Sequence, residues 1–378
     1  MKRKPFQLHM LLLALLLMTG SLTACVQEQN ALELEPEPTP APTQEKDYLT
    51  TLRDLGFGNY LVETQFHPQH KKSGSWDVYT YPIDELRCVL GGEYFIQTRQ
   101  GSEAAHTVIW MDGGGPCFPG RDHCVKEAQI HPWNESYGFA SPETNNPVKD
   151  WNFVYVPYCN GSSYMGDANA DYDGDGEVDH WHWGQKTVAA ALRLIQEQFP
   201  DTKKILIAGC SAGGAGTIST TPIARLAFPD AKIYVLNISG TGLVKPGDDE
   251  LRDLIKSTWG IDSYLPSDCE MCEEQIIYMY AWLLERDPKL KIGLYSSYHD
   301  YTLVERWGMS PGMVKSLLRT TTNDIRTDHA DNFKRFFIAG DRHCLDDYFY
   351  EINGYSFWNW IGYLVNDSPR WMDLLEKE

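Results

Sequence analysis

Positive charge is in short supply. The 378 residues carry 33 Lys and Arg against 52 Asp and Glu, a formal net charge of −19. A chain this acidic repels phosphate backbones and anionic membrane surfaces, which excludes a nucleic-acid-binding role and any electrostatic membrane docking. Long apolar runs are also scarce. One lies near the N-terminus, at residues 10–18, and no other is long enough to cross a bilayer. No internal repeat is present. His180 and His182 stand close together, but no second cluster of ligating residues accompanies them, so zinc is not expected there.

What the N-terminus does hold is a basic start (Lys2, Arg3, Lys4), the apolar run, and then Leu22-Thr23-Ala24-Cys25. Small residues ending in a cysteine have the form of a bacterial lipoprotein signal. Residues 1–24 are expected to be removed, leaving Cys25 as a lipidated N-terminus outside the cytoplasm. Residues 25–47 form a tether in which Glu and Pro alternate, so the chain there is stiff, self-repelling and solvated. Without Cys25, eight cysteines remain, an even number that suits disulfides in an oxidising compartment.

Residues 48–378 are long enough for one domain with a sizeable core. Short apolar runs at 107–111, 153–157, 204–208, 232–236, 291–295 and 335–339 have the look of buried strands. A helical pattern spans 186–198, and a last helix is expected over 357–365. Strands alternating with helices predict an α/β fold of the α/β-hydrolase type, a mainly parallel sheet flanked by helices.

Gly209-Cys210-Ser211-Ala212-Gly213-Gly214 follows the run at 204–208 directly, and small residues open a helix after it. Gly-x-Ser-x-Gly between strand and helix is the form of a nucleophile elbow. The serine occupies a strained turn whose near neighbours have no room for side chains, and its hydroxyl stands at the positive end of a helix. Three histidines lie downstream: His299, His329 and His343. His343 follows the last main strand, where the general base of such a fold belongs, whereas His329 precedes that strand in a polar stretch. The orienting acid belongs after the preceding strand, which selects Asp300. Asp300 is equally suited to cap a helix. Asp341, Asp346 and Asp347 are nearer to His343 in sequence, but their loop would have to fold back to reach its far nitrogen. Gly113-Gly114-Gly115 follows the run at 107–111 and offers backbone N–H groups of Gly114 and Gly115, with that of Ala212, to an oxyanion.

Cys210 precedes Ser211 and Cys344 follows His343, so contact between serine and histidine would bring the two sulfurs together in a disulfide. Cys117 and Cys124 are expected to pair locally. Separately, Asp171-Tyr172-Asp173-Gly174-Asp175-Gly176-Glu177-Val178-Asp179 has the first nine positions of an EF-hand-type loop. Asp171, Asp173, Asp175 and Asp179 are candidate ligands for a structural Ca²⁺, although the twelfth position is His182 instead of Glu. A solvated acidic turn is the alternative.

Together with the glycine loop and the elbow, Trp151-Asn152-Phe153-Val154-Tyr155-Val156-Pro157-Tyr158-Cys159 completes a series that resembles the pectin acetylesterase family, which includes plant pectin acetylesterases and the animal carboxylesterase Notum. The resemblance covers the chain from about residue 85 onward. It implies an α/β-hydrolase-like fold, a Ser-Asp-His triad and removal of short acyl groups from oxygen, with no cofactor needed for catalysis. Ser211 falls on the family nucleophile, Gly114 and Ala212 on its oxyanion donors and His343 on its base. Asp112 stands where the family has Glu. His299 separates Asp300 from the aromatic Tyr298 that the family places directly before its acid. The cysteines beside serine and histidine are similar to the pattern in tannases and feruloyl esterases. An acetylated carbohydrate or small ester is the expected substrate, with longer or aromatic acyl esters, or carbohydrate binding without catalysis, as alternatives.

Overall fold

The computed structural model describes residues 47–62, 65–128, 138–345 and 347–377. The expected signal peptide, Cys25 and all of the tether except Asp47 lie outside the described residues.

Ten strands form the main sheet. They are β1 (Gln69–Ser73), β2 (Trp76–Tyr81), β3 (Tyr94–Arg99), β4 (Glu103–Met111), β5 (Trp151–Val156), β6 (Lys204–Cys210), β7 (Lys232–Ile238), β8 (Lys291–Ser297), β9 (Phe333–Ile338) and β10 (Leu374–Leu375). Their spatial order is β1-β2-β3-β5-β4-β6-β7-β8-β9-β10. From β5 to β10 all neighbours are parallel, and β1, β2 and β3 extend the sheet antiparallel.

Each of the six apolar runs lies in one of β4 to β9, within a residue or two. Their continuous apolar character follows from burial on both faces. In β6, Ile205 and Ile207 enter the core on one side of the sheet, while Leu206 and Ala208 enter the core on the other. The strands that periodicity missed are those without such a signature. All five residues of β1 are exposed, as suits the polar edge of a sheet.

Helices cover both faces. Those that matter for the site are α1 (Gly184–Gln198), α2 (Ala212–Ala227), α3 (Asp249–Trp259) and α4 (Tyr301–Trp307); α5 (Phe357–Val365) covers the opposite face. The chain leaves β4 for β5 on one side, and β6 lies on the other. Connections therefore diverge beyond the carboxyl ends of β4 and β6, opening the crevice where ligands bind in parallel sheets. The glycine loop follows β4 and Ser211 follows β6, so both elements face this crevice.

Candidate active site

Ser211 joins β6 to α2 with φ +55° and ψ −119°, a conformation that side-chain-bearing residues rarely adopt. The turn is held by Ser211 N–H donating to the carbonyl of Ile238 at 2.8 Å and by its own carbonyl accepting from Ala215 N–H at 2.9 Å. The flanking glycines are sterically required. A Cβ on Gly213 would fall 2.0 Å from the carbonyl oxygen of Met111, and one on Gly209 2.5 Å from the backbone of Gly213.

Asp300 caps the N-terminus of α4, its Oδ1 accepting from Thr302 N–H at 2.9 Å and Leu303 N–H at 3.4 Å. The same carboxylate lies 2.9 and 2.8 Å from His343 Nδ1. Asp300 is completely buried. Asp300 therefore both caps α4 and contacts the His343 ring. Backbone hydrogen bonds fasten the histidine loop to the acid's loop: Tyr298 N–H to Ile338, His299 N–H to Gly340 and Tyr301 N–H to Asp341, at 2.8–3.1 Å. Asp341 thus takes part through its carbonyl; Asp346 lies outside the described residues. His343 Nε2 is buried and has no hydrogen-bond partner among the described residues.

The glycine loop is equally constrained. Asp112 accepts from Gly113 N–H at 3.0 Å and from Tyr155 Oη–H at 2.8 Å, which engages the first N–H of the loop. A Cβ on Gly114 would lie 1.9 Å from Tyr158 Cδ1, and one on Gly115 2.6 Å from His123 Cβ. Tyr158 Oη–H donates to the carbonyl of Gly115 at 3.0 Å. Gly114, Gly115, Ser211, Ala212 and His343 all line one cavity of about 300 Å³. Ala212 opens α2, so its N–H is one of those a helix leaves free at its start.

Cys210 and Cys344 are joined, as are Cys117 and Cys124; Cys88–Cys159 and Cys269–Cys272 complete four disulfides. The first bridge ties the serine turn directly to the histidine loop.

Residues 87–260 match the family model described as pectinacetylesterase. Pectin acetylesterase 4 of Arabidopsis thaliana is 22% identical over 58% of this chain and 56% of its own length. Palmitoleoyl-protein carboxylesterase notum2 of Xenopus laevis is 25% identical over 47% of this chain and 35% of its own. The Drosophila Wnt deacylase Notum superposes with a TM-score of 0.60 at 15% identity, covering 82% of this chain and 96% of that one. These matches support a pectin acetylesterase/Notum-like relationship for this chain. It spans about half the length, or less, of these curated relatives. The α/β-hydrolase-like fold agrees with the Notum structure. The family match contains the glycine loop and Ser211, whereas Asp300 and His343 lie beyond its end. The histidine–carboxylate pair therefore rests on geometry.

Two serines that sequence reasoning passed over hold the site together. Ser239 accepts from Cys344 N–H at 3.1 Å, and Ser297 Oγ–H donates to the carbonyl of Arg342 at 2.7 Å. Ser211, Ser239 and Cys344 all have positive φ, at 55°, 54° and 58°. Strained backbone of this kind persists where surrounding structure holds it, as the bridge and these hydrogen bonds do here. Nothing in the local sequence around Ser239 marks it; only the packing of β7 beside β6 and β8 brings it to the histidine loop.

In the acidic loop, Asp171, Asp173 and Asp179 have carboxylate oxygens within 4.8 Å of one another. Asp175 is not in that group, and its Oδ1 accepts from Glu177 N–H at 2.8 Å. The cluster thus brings together three of the four expected carboxylates. His182, at the twelfth position, is buried with Nε2 2.7 Å from Tyr172 Oη, and His180 Nδ1 lies 2.6 Å from Asp179. Both histidines are engaged within the protein.

Proposed function

We propose that this protein is a serine carboxylesterase. Ser211 Oγ attacks the ester carbonyl while His343 Nε2 takes its proton, and Asp300 holds the ring and balances the imidazolium. The N–H groups of Gly114 and Ala212, with that of Gly115, receive the oxyanion. His343 then protonates the departing alkoxide, and water activated by the same nitrogen releases the acid. These steps use no cofactor. The observation that carries the reading is the His343 ring itself: one nitrogen is gripped by a buried carboxylate, and the other is buried without a hydrogen-bond partner, on a residue that lines the same cavity as Ser211. A fluorophosphonate probe is expected to label the protein and not its Ser211→Ala variant. Equal labelling of both would overturn the assignment, and no labelling of the wild type would favour a carbohydrate-binding protein without catalysis.

For the acyl group, the family's acetylesterases support removal of O-acetyl from a carbohydrate. A second reading, a longer or aromatic acyl group, draws support from the cavity. Its walls include Met165, Leu243, Ile255, Trp259, Ile276 and Trp307, and its volume of about 300 Å³ is far more than an acetyl group fills. Rates on p-nitrophenyl acetate, butyrate and octanoate separate the two readings.

We further propose that Cys25 carries a lipid anchor and that the enzyme works outside the cytoplasm; four disulfides suit that compartment. Incorporation of labelled palmitate that is lost in Cys25→Ala tests the anchor. Asp171, Asp173 and Asp179 offer the hard oxygen donors of a structural Ca²⁺ site, which would brace the loop beside Tyr172.

A further inference from the structure

Three cations line the cavity: Arg252, Lys256 and Arg306. Two of them are neutralised. Arg252 Nη1 lies 2.8 Å from Asp249 and 3.4 Å from Glu274, and Lys256 Nζ lies 2.9 Å from Asp262 and also pairs with Glu273. Arg306 differs. Its guanidinium has no carboxylate or hydrogen-bond partner among the described residues, although the chain as a whole carries a charge of −19.

The position of Arg306 is set on two sides. It lies in the last turn of α4, the helix that Asp300 caps, and its carbonyl accepts from Arg121 Nη2–H at 2.7 Å. Its Nη1 is 3.2 Å from where a Cβ on Gly115 would stand, so the guanidinium abuts the glycine loop. A half-buried guanidinium without a counter-charge is incompletely solvated, and an incoming anion would compensate it. Its planar fork of N–H donors matches a carboxylate in a way that a lysine ammonium does not.

We propose that Arg306 is a specificity-determining residue that binds a carboxylate carried by the ester substrate. The acidic surface repels anions at long range, so this local cation selects substrates whose carboxylate lies within reach of the ester. The proposal rests on the esterase reading for its consequence in turnover, and on Arg306 alone for binding.

Two pairs of esters test it, each differing only in a free or methylated carboxylate: 4-acetoxybenzoate with its methyl ester, and p-nitrophenyl hemisuccinate with its methyl ester. The first pair carries the charge on the alcohol half and the second on the acyl half. Arg306→Gln is expected to lower kcat/KM at least tenfold for the charged member of one pair, mainly through KM, and less than twofold for its neutral partner. Arg306→Lys should recover part of the loss. Equal losses on charged and neutral members, or no loss on either pair, would overturn the proposal. If the wild type hydrolyses none of the four, the esterase reading fails and binding still decides the subsite. Calorimetry of 4-acetoxybenzoate with Ser211→Ala supports it when Arg306→Gln weakens binding tenfold, and unchanged or undetectable binding rejects it.

Discussion

Asp300 meets His343 Nδ1 with both carboxylate oxygens, at 2.9 and 2.8 Å, while one of those oxygens also caps α4. The two duties separate by substitution. Asn keeps a capping oxygen but lacks the charge, so Asp300→Asn should leave the melting temperature nearly unchanged and lower kcat by roughly 10⁴-fold. Asp300→Ala should lose activity and also about 1 kcal/mol of stability. Thermal melts beside kcat on p-nitrophenyl acetate distinguish them.

The Cys210–Cys344 bridge closes a sequence separation of 134 residues. Replacing both cysteines with serine is expected to cost about 2–5 kcal/mol, read from denaturant unfolding. Activity should fall further than the unfolded fraction explains, because the bridge also fixes the histidine loop against the serine turn. Full activity in the folded double variant would show that the hydrogen bonds from Ser239 and Ser297 suffice.

Gly114 has no space for a methyl group, since its Cβ would lie 1.9 Å from the Tyr158 ring. Gly114→Ala must displace the loop and misdirect an oxyanion donor. A loss of roughly a hundredfold or more in kcat is expected, with little change in far-ultraviolet circular dichroism.

Burial, reinforced by the charge of His180, lowers the His182 pKa from 6.5 to about 4. Between these values the unfolded chain binds a proton that the folded chain excludes. The stability that neutral His182 allows is complete above pH 6.5 and declines as pH falls toward 4, by roughly 3 kcal/mol from this residue. Unfolding free energies measured across that window should show a shallower decline for His182→Gln.

Ca²⁺ at ten times its dissociation constant should stabilise the protein by about 1.4 kcal/mol, and a chelator should reverse the gain. The paired Asp171→Ala, Asp173→Ala variant should melt at one temperature with or without Ca²⁺. An unchanged wild-type melting temperature in millimolar Ca²⁺ would leave the acidic loop a solvated turn.

The parallel half of the sheet was legible because strands buried on both faces must be continuously apolar, as β6 and β7 are. The antiparallel β1 was not, because an exposed edge imposes no hydrophobic period. Ser211 was legible through its glycines, each of which answers to a contact that a side chain would break.

Chain order and local chemistry alone determined the strand–turn–helix around Ser211, the glycine loop after β4 and the choice of His343 and Asp300 among their neighbours. The serine turn and the glycine loop follow from sterics within a few residues, whereas His343 and Asp300 follow from their order after the strands of the expected fold. Tertiary structure decided the rest. It joined Asp300 to His343 across 43 positions, placed Ser239 behind Cys344, excluded Asp175 from the carboxylate cluster and left Arg306 alone among the cavity's cations. Each of these depends on which distant backbones the sheet order brings side by side, and no spacing along the chain encodes that.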